Sequence, residues 1–447
     1  MLKFFFFTED IKVKHTEFNF TYEHLFEKAD DLNNVGFGKV YFSTESNLNT
    51  HCHNLAMQFG DKYNNSIRVI SNDKVMAHEQ FPVDIGFKEN LEMALESFKG
   101  RKLPLKVAII NAMSNAIGDH LIGMRAFDCW LERVEEYLGV PVEVTFFQLN
   151  PMRMGPITAQ RKQLRNIFIL PNKMTRFAYH DAYIDLSSLI LRETFNEQPM
   201  IDFFFDAMSI PSESVPKEKK RIKFSYDPQS VLQIEHIINV LRTKKRPILL
   251  FHHKSTSAVR EMTDERARKT LKQLLDKTDY FIVSAMNLEY QHERYLDISR
   301  FSQPSLFHFA AIIDMVDAVI TVDTSTYHFA DAFDTPTVAL FTTIEPDFRV
   351  RYYPLVESVM LEKNHGENYG LHKSHLEPEA LQKQVEYTDN LWDTLDLDDV
   401  LVRLNRVIQK KKEGNYERCN SSRGLGHEAI TLDEGDIFMN PLKEVAK

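Results

Sequence analysis

Two short apolar runs, separated by a polar turn and a helix-like segment, lie between residues 316 and 346. The runs read AVITV and TVALF, and they have the β-branched character of buried strands. Strand, turn, helix and strand in this order form a βαβ unit, in which the two strands lie in one parallel sheet. The sequence therefore predicts a parallel sheet with a polar turn at the carboxyl end of one strand.

That turn carries an acid, three hydroxyl residues and a histidine, namely Asp323, Thr324, Ser325, Thr326 and His328. Ligands of open α/β sheets bind at the carboxyl ends of the strands. The start of the next helix there offers free N–H groups and its positive dipole end to an anion. Each residue alone is explained as well by an ordinary helix cap. All five together favour a binding site, and the group that suits it is a phosphate.

Further runs of strand length alternate with helix-like segments along most of the chain. KVAIINAM, PVEVTFFQL, NIFILP, AYIDLS and IKFSY come before residue 244, and PILLFHH and YFIVSA come after it. This alternation is typical of α/β folds. We expect two Rossmann-like, doubly wound parallel-sheet domains facing a cleft, at residues 104–244 and 245–412. An α+β accessory domain of unknown role is expected at 1–103, and a polar tail at 413–447.

The first of these domains has one acid at the mouth of its predicted sheet. Gly118 and Asp119 lie between the strand KVAIINAM and a segment with helical spacing. A carboxylate in this position acts as a general base, as a ligand to a cation, or only as a helix cap. A cap is the default, and the phosphate-like turn of the second domain is what raises the catalytic alternative.

The strand PILLFHH is followed by a loop with Lys254, Ser255, Thr256 and Arg260. Point charges, guanidinium forks and hydroxyl groups are what a diphosphate needs. A solvated basic loop is the simpler interpretation. This simpler interpretation is less favoured because the turn at Asp323 is expected nearby, at the same edge of the same sheet.

Composition narrows the class of protein. The chain has 447 residues, 43% of them hydrophobic and 26% charged, as in ordinary globular proteins. Its net charge of −10 argues against a nucleic-acid partner. The cysteines Cys52, Cys129 and Cys419 are far apart, which fits a reducing compartment. No signal peptide or membrane span is apparent, so we expect a cytoplasmic protein with at most peripheral membrane contact. His51, Cys52 and His53 are adjacent but lack zinc-site spacing, so no metal site is expected there.

The turn and its flanks resemble a motif of the heptosyltransferase family, glycosyltransferase family 9. The family motif is D-[ST]-G-x-x-H-x-x-A-A-x-x-x-P-x-x-x-L-[FY]-G-x-T-x-P, and here it runs from Asp323 to Pro346 with the Asp, His and Pro positions in register. GDHLIGMR after the first strand and SAMNLE after YFIVSA also resemble family segments. The resemblance covers roughly residues 104 to 410. It implies the GT-B architecture of two Rossmann-like domains.

The resemblance also implies roles for individual residues. Asp119 would be the general base that takes the proton of the acceptor hydroxyl. Asp323 and His328 would shape the turn or help to hold the phosphates, and Glu289 would hold the ribose. The leaving group's charge would be offset by Lys254 or Arg260, between which the sequence does not choose. The remaining predicted diphosphate contacts are Ser255, Thr256, Thr324, Ser325 and Thr326.

Two glycines of the family motif are replaced here, by Ser325 and Thr342. Glycine permits positive φ and close approach of a ligand to the backbone. Such losses fit a different donor, a shifted donor pose or a domain without activity.

Glycosyl transfer needs a base, positive groups for the departing diphosphate and a cleft that excludes water. The resemblance implies an inverting, metal-independent glycosyltransferase with no cofactor. Its donor would be a nucleotide diphosphate sugar, with an ADP-sugar favoured, carrying a heptose or another hexose-like sugar. Its acceptor would be a surface glycan, lipopolysaccharide or a protein. The alternatives are an inactive GT-B module that binds a glycan or protein, and a nucleotide-sugar epimerase. An oxidoreductase is disfavoured because no G-x-G-x-x-G follows the strands.

Overall fold

The fold was obtained as a computed structural model. It describes residues 42–43, 82–110, 116–148, 155–158, 160–169, 172–173, 176–177, 179–186, 197–302, 305–361 and 378–419. The expected strands LKFFFF and IRVIS and the His51, Cys52, His53 cluster lie outside these residues. So does most of the tail from residue 413.

Strands and helices alternate along the described chain. The strands are β1 Phe42–Ser43, β2 Val83–Asp84, β3 Leu105–Ile110, β4 Val142–Gln148, β5 Leu164–Ile169, β6 Asn172–Lys173, β7 Ala182–Asp185, β8 Ile248–His252, β9 Phe281–Ser284, β10 Tyr295–Asp297, β11 Ala318–Val322, β12 Thr337–Phe341 and β13 Val356–Met360. The helices are α1 Leu91–Leu95, α2 Ile117–Leu138, α3 Gly155–Thr158, α4 Met200–Ala207, α5 Leu232–Arg242, α6 Asp264–Lys277, α7 Ser299–Ser302, α8 Leu306–Met315, α9 Thr326–Ala332, α10 Asp347–Val350, α11 Pro378–Leu391 and α12 Leu397–Glu413.

Helix ends follow local chemistry. The long helix α2 stops at Gly139, whose φ of 67° lies in the left-handed region that favours glycine. Helix α12 begins at Asp396, whose carboxylate accepts hydrogen bonds from the backbone N–H groups of Asp398 and Asp399. It ends at Gly414, with a φ of 69°. These are the ends that the sequence pattern indicates.

The first sheet has the strand order β2-β7-β3-β4-β5, and every pairing in it is parallel. Helices α2 and α4 cover one face, where Val107, Ile109 and Phe146 are fully buried. Strand β2 comes from within the segment 1–103 that the sequence assigned to an accessory domain. The domain boundaries themselves stay predictions.

The second sheet has the order β10-β9-β8-β11-β12-β13, again with parallel pairing throughout. In chain order this is the 3-2-1-4-5-6 arrangement of a doubly wound Rossmann domain. One face packs into the core shared with the first domain, and α6 and α12 cover the other face. The predicted fold class, two doubly wound α/β domains in the GT-B manner, is confirmed.

Residues 222–226, IKFSY, were predicted to form a strand, and this prediction is wrong. The segment crosses from the first domain onto α9 instead, where the Phe224 ring meets the Phe329 ring edge-on at 4.9 Å. Its neighbour Arg221 donates to the Asp331 carboxylate at 2.9 Å. Burial of aromatic rings against the second domain and this ion pair hold the segment in place of strand pairing.

The polar stretch at residues 211–220 was expected to be a surface loop. It forms two short 3₁₀ turns, Ser212–Ser214 and Lys217–Lys220, and its last lysine is buried. The Lys220 ammonium donates to Asp202 at 2.6 Å, and the Tyr352 hydroxyl donates to the same carboxylate at 2.6 Å. Asp202 belongs to α4 and Tyr352 lies between α10 and β13, so this cluster joins the two domains. Within the described part of the chain, no helix is long and apolar enough to cross a membrane.

Candidate active site

The site forms at the switch point of the second sheet, between β8 and β11. These neighbouring strands send their connections to opposite sides, so a crevice opens beyond their carboxyl ends. The loop after β8 carries residues 254–260, and the turn after β11 begins at Asp323. The Ser255 hydroxyl donates to the Asp323 carbonyl at 3.1 Å, which ties the loop to the turn. The loop after β8 and the turn after β11 therefore lie next to each other, as the sequence predicts.

Asp323 is buried and its carboxylate is held from two sides. The Tyr327 hydroxyl donates to Oδ1 at 2.8 Å, and Arg260 Nη1 donates to Oδ2 at 3.3 Å. Through these two bonds the carboxylate connects the loop after β8 to α9 and fixes the shape of the turn. Asp323 is thus a residue that orients Arg260 and Tyr327, consistent with the predicted role in shaping the turn.

The backbone at Ser325 is right-handed, with φ −59° and ψ −14°. The position therefore does not need a glycine to reach a left-handed conformation. Thr342 is also outside the left-handed region, and its hydroxyl donates to the Val259 carbonyl at 2.7 Å. That bond links the loop after β12 to the loop after β8. The two replaced glycines are compatible with an ordered crevice.

His328 is buried where the two domains meet. Its Nδ1 lies 2.7 Å from the Tyr353 hydroxyl, in a hydrogen bond. On the other side is Gly118 of α2, where a Cβ atom would come within 2.8 Å of the His328 ring. Glycine at this position is what lets α2 approach the turn so closely. Burial, together with the positive charges of Arg349 and Arg260, lowers the pKa of His328 to about 3. The ring is therefore neutral at physiological pH and offers no positive charge to a phosphate.

The structure distinguishes the two cations between which the sequence left the choice open. The Lys254 ammonium lies 2.8 Å from Asp264 and 3.5 Å from Glu261, so its charge is offset within the loop. Arg260 instead pairs with Asp323 of the turn after β11, at 3.3 Å. Burial opposes its charge, but attraction to Asp323 and Asp119 outweighs burial, so the pKa of the Arg260 guanidinium is raised. Its buried Nε has no hydrogen-bond partner among the described residues, which leaves one donor for a ligand.

The other predicted contacts lie along the same sheet edge. Thr324 and Ser325 are half-buried, Thr256 is exposed, and the Thr326 hydroxyl is buried without a partner in the described chain. Glu289 follows β9 and is exposed; its φ of 49° is held by the Glu289 N–H, which donates to Asn287 Oδ1 at 2.8 Å. Because β9 is next to β8, Glu289 lies on the sheet edge that carries the crevice. Its role toward a ribose stays a prediction.

Asp119 is the contribution of the first domain. It lies in the first turn of α2 and is half-buried. The approach of Gly118 to His328 and the electrostatic effect of Asp119 on Arg260 put this carboxylate on the crevice side. Asp119 is thus close enough to Arg260 to affect its charge, and its role as the base stays a prediction.

Sequence reasoning missed three residues of this site. Tyr327 and Tyr353 hold Asp323 and His328, and Arg349 lowers the pKa of the buried His328 next to it. Tyr327 could have been identified from the sequence, since it follows Asp323 by four residues within the motif. Tyr353 and Arg349 follow β12 and have no motif that would mark them.

No metal site is found within the described part of the chain, where no three His, Cys, Asp or Glu side chains converge. Asp396 and Asp398 form an Asp-x-Asp pattern of the kind that holds metal in some transferases. Here Asp396 caps α12, and Asp398 pairs with Lys277 at 2.6 Å. Both acids are therefore used in the fold.

A known protein family matches the part of the chain that contains most of the candidate site. The model of glycosyltransferase family 9 (heptosyltransferase) matches residues 177–377. The chain resembles this family of glycosyltransferases. The matched segment contains every predicted site residue from Lys254 to His328, whereas Asp119 lies outside it.

Solved structures with low sequence identity are also similar. ADP-heptose lipopolysaccharide heptosyltransferase II of E. coli is 12% identical, with 69% of this chain and 100% of that chain covered and a TM-score of 0.44. A glycosyltransferase family 9 protein of Veillonella parvula is 12% identical, with 69% and 99% covered and a TM-score of 0.46. E. coli heptosyltransferase WaaC with ADP is 14% identical, with 64% and 100% covered and a TM-score of 0.39. No curated protein sequence matches the chain.

Proposed function

We propose that the protein is an inverting, metal-independent glycosyltransferase that uses a nucleotide diphosphate sugar. The observation that carries this proposal is the meeting of α2 with the turn after β11, which brings Asp119 near Arg260 across the domain boundary. A carboxylate opposite a cation is the pair of charges that transfer of a sugar from a diphosphate requires. The match of residues 177–377 to a glycosyltransferase family supports the same reaction class.

In the proposed reaction the oxygen of an acceptor hydroxyl attacks the anomeric carbon of the donor sugar. Asp119 takes the proton of that hydroxyl as the new C–O bond forms. The bond between the anomeric carbon and the diphosphate oxygen breaks, and the electron pair leaves with the diphosphate. Arg260 stabilises the resulting negative charge through its fork. Because base and leaving group lie on opposite sides of the sugar, the anomeric configuration inverts.

The donor would lie along the edge of the second sheet. Ser255, Thr256, Thr324, Ser325 and Thr326 would contact the diphosphate by hydroxyl and backbone donors. Glu289 would accept hydrogen bonds from the ribose. An ADP-sugar is favoured by resemblance. The acceptor would be a glycan, lipopolysaccharide or protein, and we expect the reaction to occur in the cytoplasm, with at most peripheral membrane contact.

A thermal-shift screen against ADP, UDP, GDP, CDP and TDP tests the proposal, once with EDTA and once with magnesium. A ligand at 100 times its dissociation constant adds about 2.7 kcal/mol to the free energy of unfolding. We expect a shift with one diphosphate, ADP in the first instance, that EDTA does not remove. No shift with any nucleotide would overturn the proposal in favour of an inactive module.

The variant Asp119→Asn separates binding from chemistry. The amide keeps the size of the side chain but takes up no proton, so transfer should fall by about 10²–10⁴-fold. The ADP shift should remain as large as in the unsubstituted protein. Retained turnover would refute the assignment of the base. Conversion of the sugar nucleotide without any acceptor would instead identify an epimerase.

A further inference from the structure

The end of α9 that lies away from the turn is held by a buried carboxylate. Helix α9 has seven residues, all of them buried, so the turn at its start and the charge at its end are only about 10 Å apart. Asp331, in the last turn of the helix, is 1% exposed. Its carboxylate accepts from Arg221 Nε at 2.9 Å and from the backbone N–H of Ile222 at 2.9 Å. The family motif has alanine at this position, so the carboxylate is a feature of this chain.

Arg221 is 4% exposed, and its two terminal nitrogens also have partners. Nη2 donates to the carbonyl of Asp331 at 2.8 Å and to the carboxylate of Asp334 at 2.7 Å. Nη1 donates to the carbonyl of Glu417. Burial disfavours the charge of Arg221, but attraction to Asp331 and Asp334 outweighs burial and raises the pKa of the guanidinium. One buried cation therefore joins two carboxylates of the second domain to residues that follow the last helix.

Residues 415–419, which we call the strap, follow the end of α12 and return to this cluster. The N–H group of Cys419 donates to the carboxylate of Asp334 at 3.0 Å, and its Sγ donates to the carbonyl of Ile222 at 3.0 Å. Asp334 has a φ of 55°, in the left-handed region that favours glycine. Its bonds to Arg221 and to the strap offset the strain of that conformation. The strap thus completes the set of bonds that fixes the residue two positions after α9.

The strap itself buries little surface. Glu417 is exposed and Cys419 is half-buried, whereas every residue of α9 is buried. Segments with few buried contacts open at the lowest cost in free energy. The strap is therefore the part of this cluster that can detach while α9 stays folded.

We propose that Arg221 is a positioning residue for the turn after β11, and that the strap regulates this turn by completing the bonds around Arg221 and Asp334. With the strap in place, α9 is fixed at its end and the turn at its start keeps its shape. When the strap detaches, Arg221 and Asp334 each lose a partner, and α9 and the turn become more mobile. That the turn binds a nucleotide diphosphate rests on the proposed function, whereas the holding of α9 does not. The strap would therefore set the affinity of the donor site.

Hydrogen–deuterium exchange of the full chain without ligand tests the holding of α9. Arg221→Met removes the cation, and Cys419→Pro removes the N–H group that donates to Asp334. Both variants lose hydrogen bonds to a charged partner. The amides of residues 325–335 should therefore exchange at least about tenfold faster in each of them.

Each variant has a matched control. Cys419→Ala loses the thiol, as Cys419→Pro does, but keeps the N–H group, so residues 325–335 should exchange as in the unsubstituted protein. Arg246→Met removes a partly exposed arginine that pairs with Asp279 at 2.8 Å, before the starts of β8 and β9. It controls for the loss of an arginine and should leave exchange at residues 325–335 unchanged.

Isothermal calorimetry with the diphosphate that gives a thermal shift, ADP in the first instance, tests the effect on the site. Arg221→Met and Cys419→Pro should each weaken binding at least about fivefold, and the two controls should not. Arg221→Lys keeps the charge and loses the fork, so its affinity should lie between those of Arg221→Met and the unsubstituted protein. If thermal unfolding shows that Arg221→Met has lost its fold, the milder Asp334→Asn takes its place in both measurements.

The outcomes separate this proposal from the proposed function. Unchanged exchange of residues 325–335 without the cation would overturn the positioning role, and so would an increase spread evenly over both domains. Equal exchange in Cys419→Pro and Cys419→Ala would overturn the role of the strap. Faster exchange with unchanged ADP affinity would overturn the regulation of the site. If no nucleotide binds to the unsubstituted protein, the proposed function fails, and the exchange rates alone decide whether Arg221 and the strap hold α9.

Discussion

The two sheets differ in what covers their faces. The second sheet is covered on both faces by apolar cores, as parallel sheets generally are. The first sheet has such a core under α2 and α4. On its other face Ala108, Ile110 and Phe147 are fully buried, whereas Lys106, Thr145 and Asn166 line a cavity near the starts of the strands. A sheet that is buried on both sides leaves only its carboxyl edge for ligands. On the first sheet, polar residues near the strand starts leave a second open surface in addition to that edge.

The two domains also contribute differently to the candidate site at the carboxyl edges of their sheets. The second domain supplies a turn whose polar groups are held by Tyr327, Tyr353 and Arg260. The first domain supplies Asp119 on the first turn of a helix. Function therefore depends on how the domains are joined, and three predictions test that dependence.

The largest loss of stability is expected from a change in the buried cluster of Lys220, Asp202 and Tyr352, which joins the two domains. Lys220→Met removes the partner of Asp202, which would remain buried and charged beneath the domain boundary. Breaking a buried ion pair in this way costs about 3–5 kcal/mol of unfolding free energy. Urea unfolding at pH 7 measures this loss of unfolding free energy.

The neighbouring lysine provides a matched control for that variant. Lys219 forms an exposed pair with Glu132 at 3.1 Å, so Lys219→Met should cost about 0–1 kcal/mol. Similar losses from both variants would show that the buried cluster does not hold the domains together.

A second prediction separates the two cations of the second domain. Arg260→Ala removes charged hydrogen bonds worth about 1.5–3 kcal/mol, so affinity for the preferred nucleotide diphosphate should fall about 10–100-fold. Lys254→Ala should change it by less than about threefold, because Lys254 is already paired with Asp264. Calorimetric titration with the nucleotide distinguishes them.

The fold of the Arg260 variant needs its own check, since Asp323 loses a partner. Arg260→Lys keeps a charge beside Asp323 and removes only the fork, so it should fold and still bind more weakly. A larger loss from Lys254→Ala than from Arg260→Ala would reverse the assignment.

The smallest effect concerns pH and the histidine between the domains. His328 is neutral in the folded protein because its pKa is lowered to about 3, whereas the unfolded chain protonates it near 6.5. The unfolded state then binds the extra proton, so stability falls as pH drops below 6.5 and continues to fall toward pH 3. Between pH 6.5 and 5 one such histidine contributes a loss of about 2 kcal/mol.

His328→Gln keeps an acceptor for Tyr353 and cannot be protonated, so its unfolding free energy should vary about 2 kcal/mol less over this range. His252 and His253, whose pKa values burial lowers to about 3 and about 4, keep part of the acid sensitivity in both proteins. Asp331, whose pKa burial raises to about 6, acts in the opposite direction. An unchanged pH dependence in the variant would show that His328 is protonated in the folded protein.

Much of this fold follows from local pattern. Runs such as AVITV and TVALF have no charged residue and are apolar apart from one threonine each, as a strand buried on both faces requires, and they form β11 and β12. Gly139 and Gly414 stop helices because other residues strain at positive φ. Residues 222–226 also have a strand-like pattern, yet they form none. Local pattern does not show whether a sheet edge is available to pair with.

The sequence by itself determined two parallel sheets and the polar residues at their carboxyl edges, because strand periodicity and turn chemistry act over a few residues. Only the tertiary structure decided that Lys254 pairs with Asp264 and Arg260 with Asp323, that burial lowers the pKa of His328, and that Gly118 lies against His328. Charge and burial act through distance in space. Gly118 and His328 are 210 residues apart in the chain and in contact in the fold.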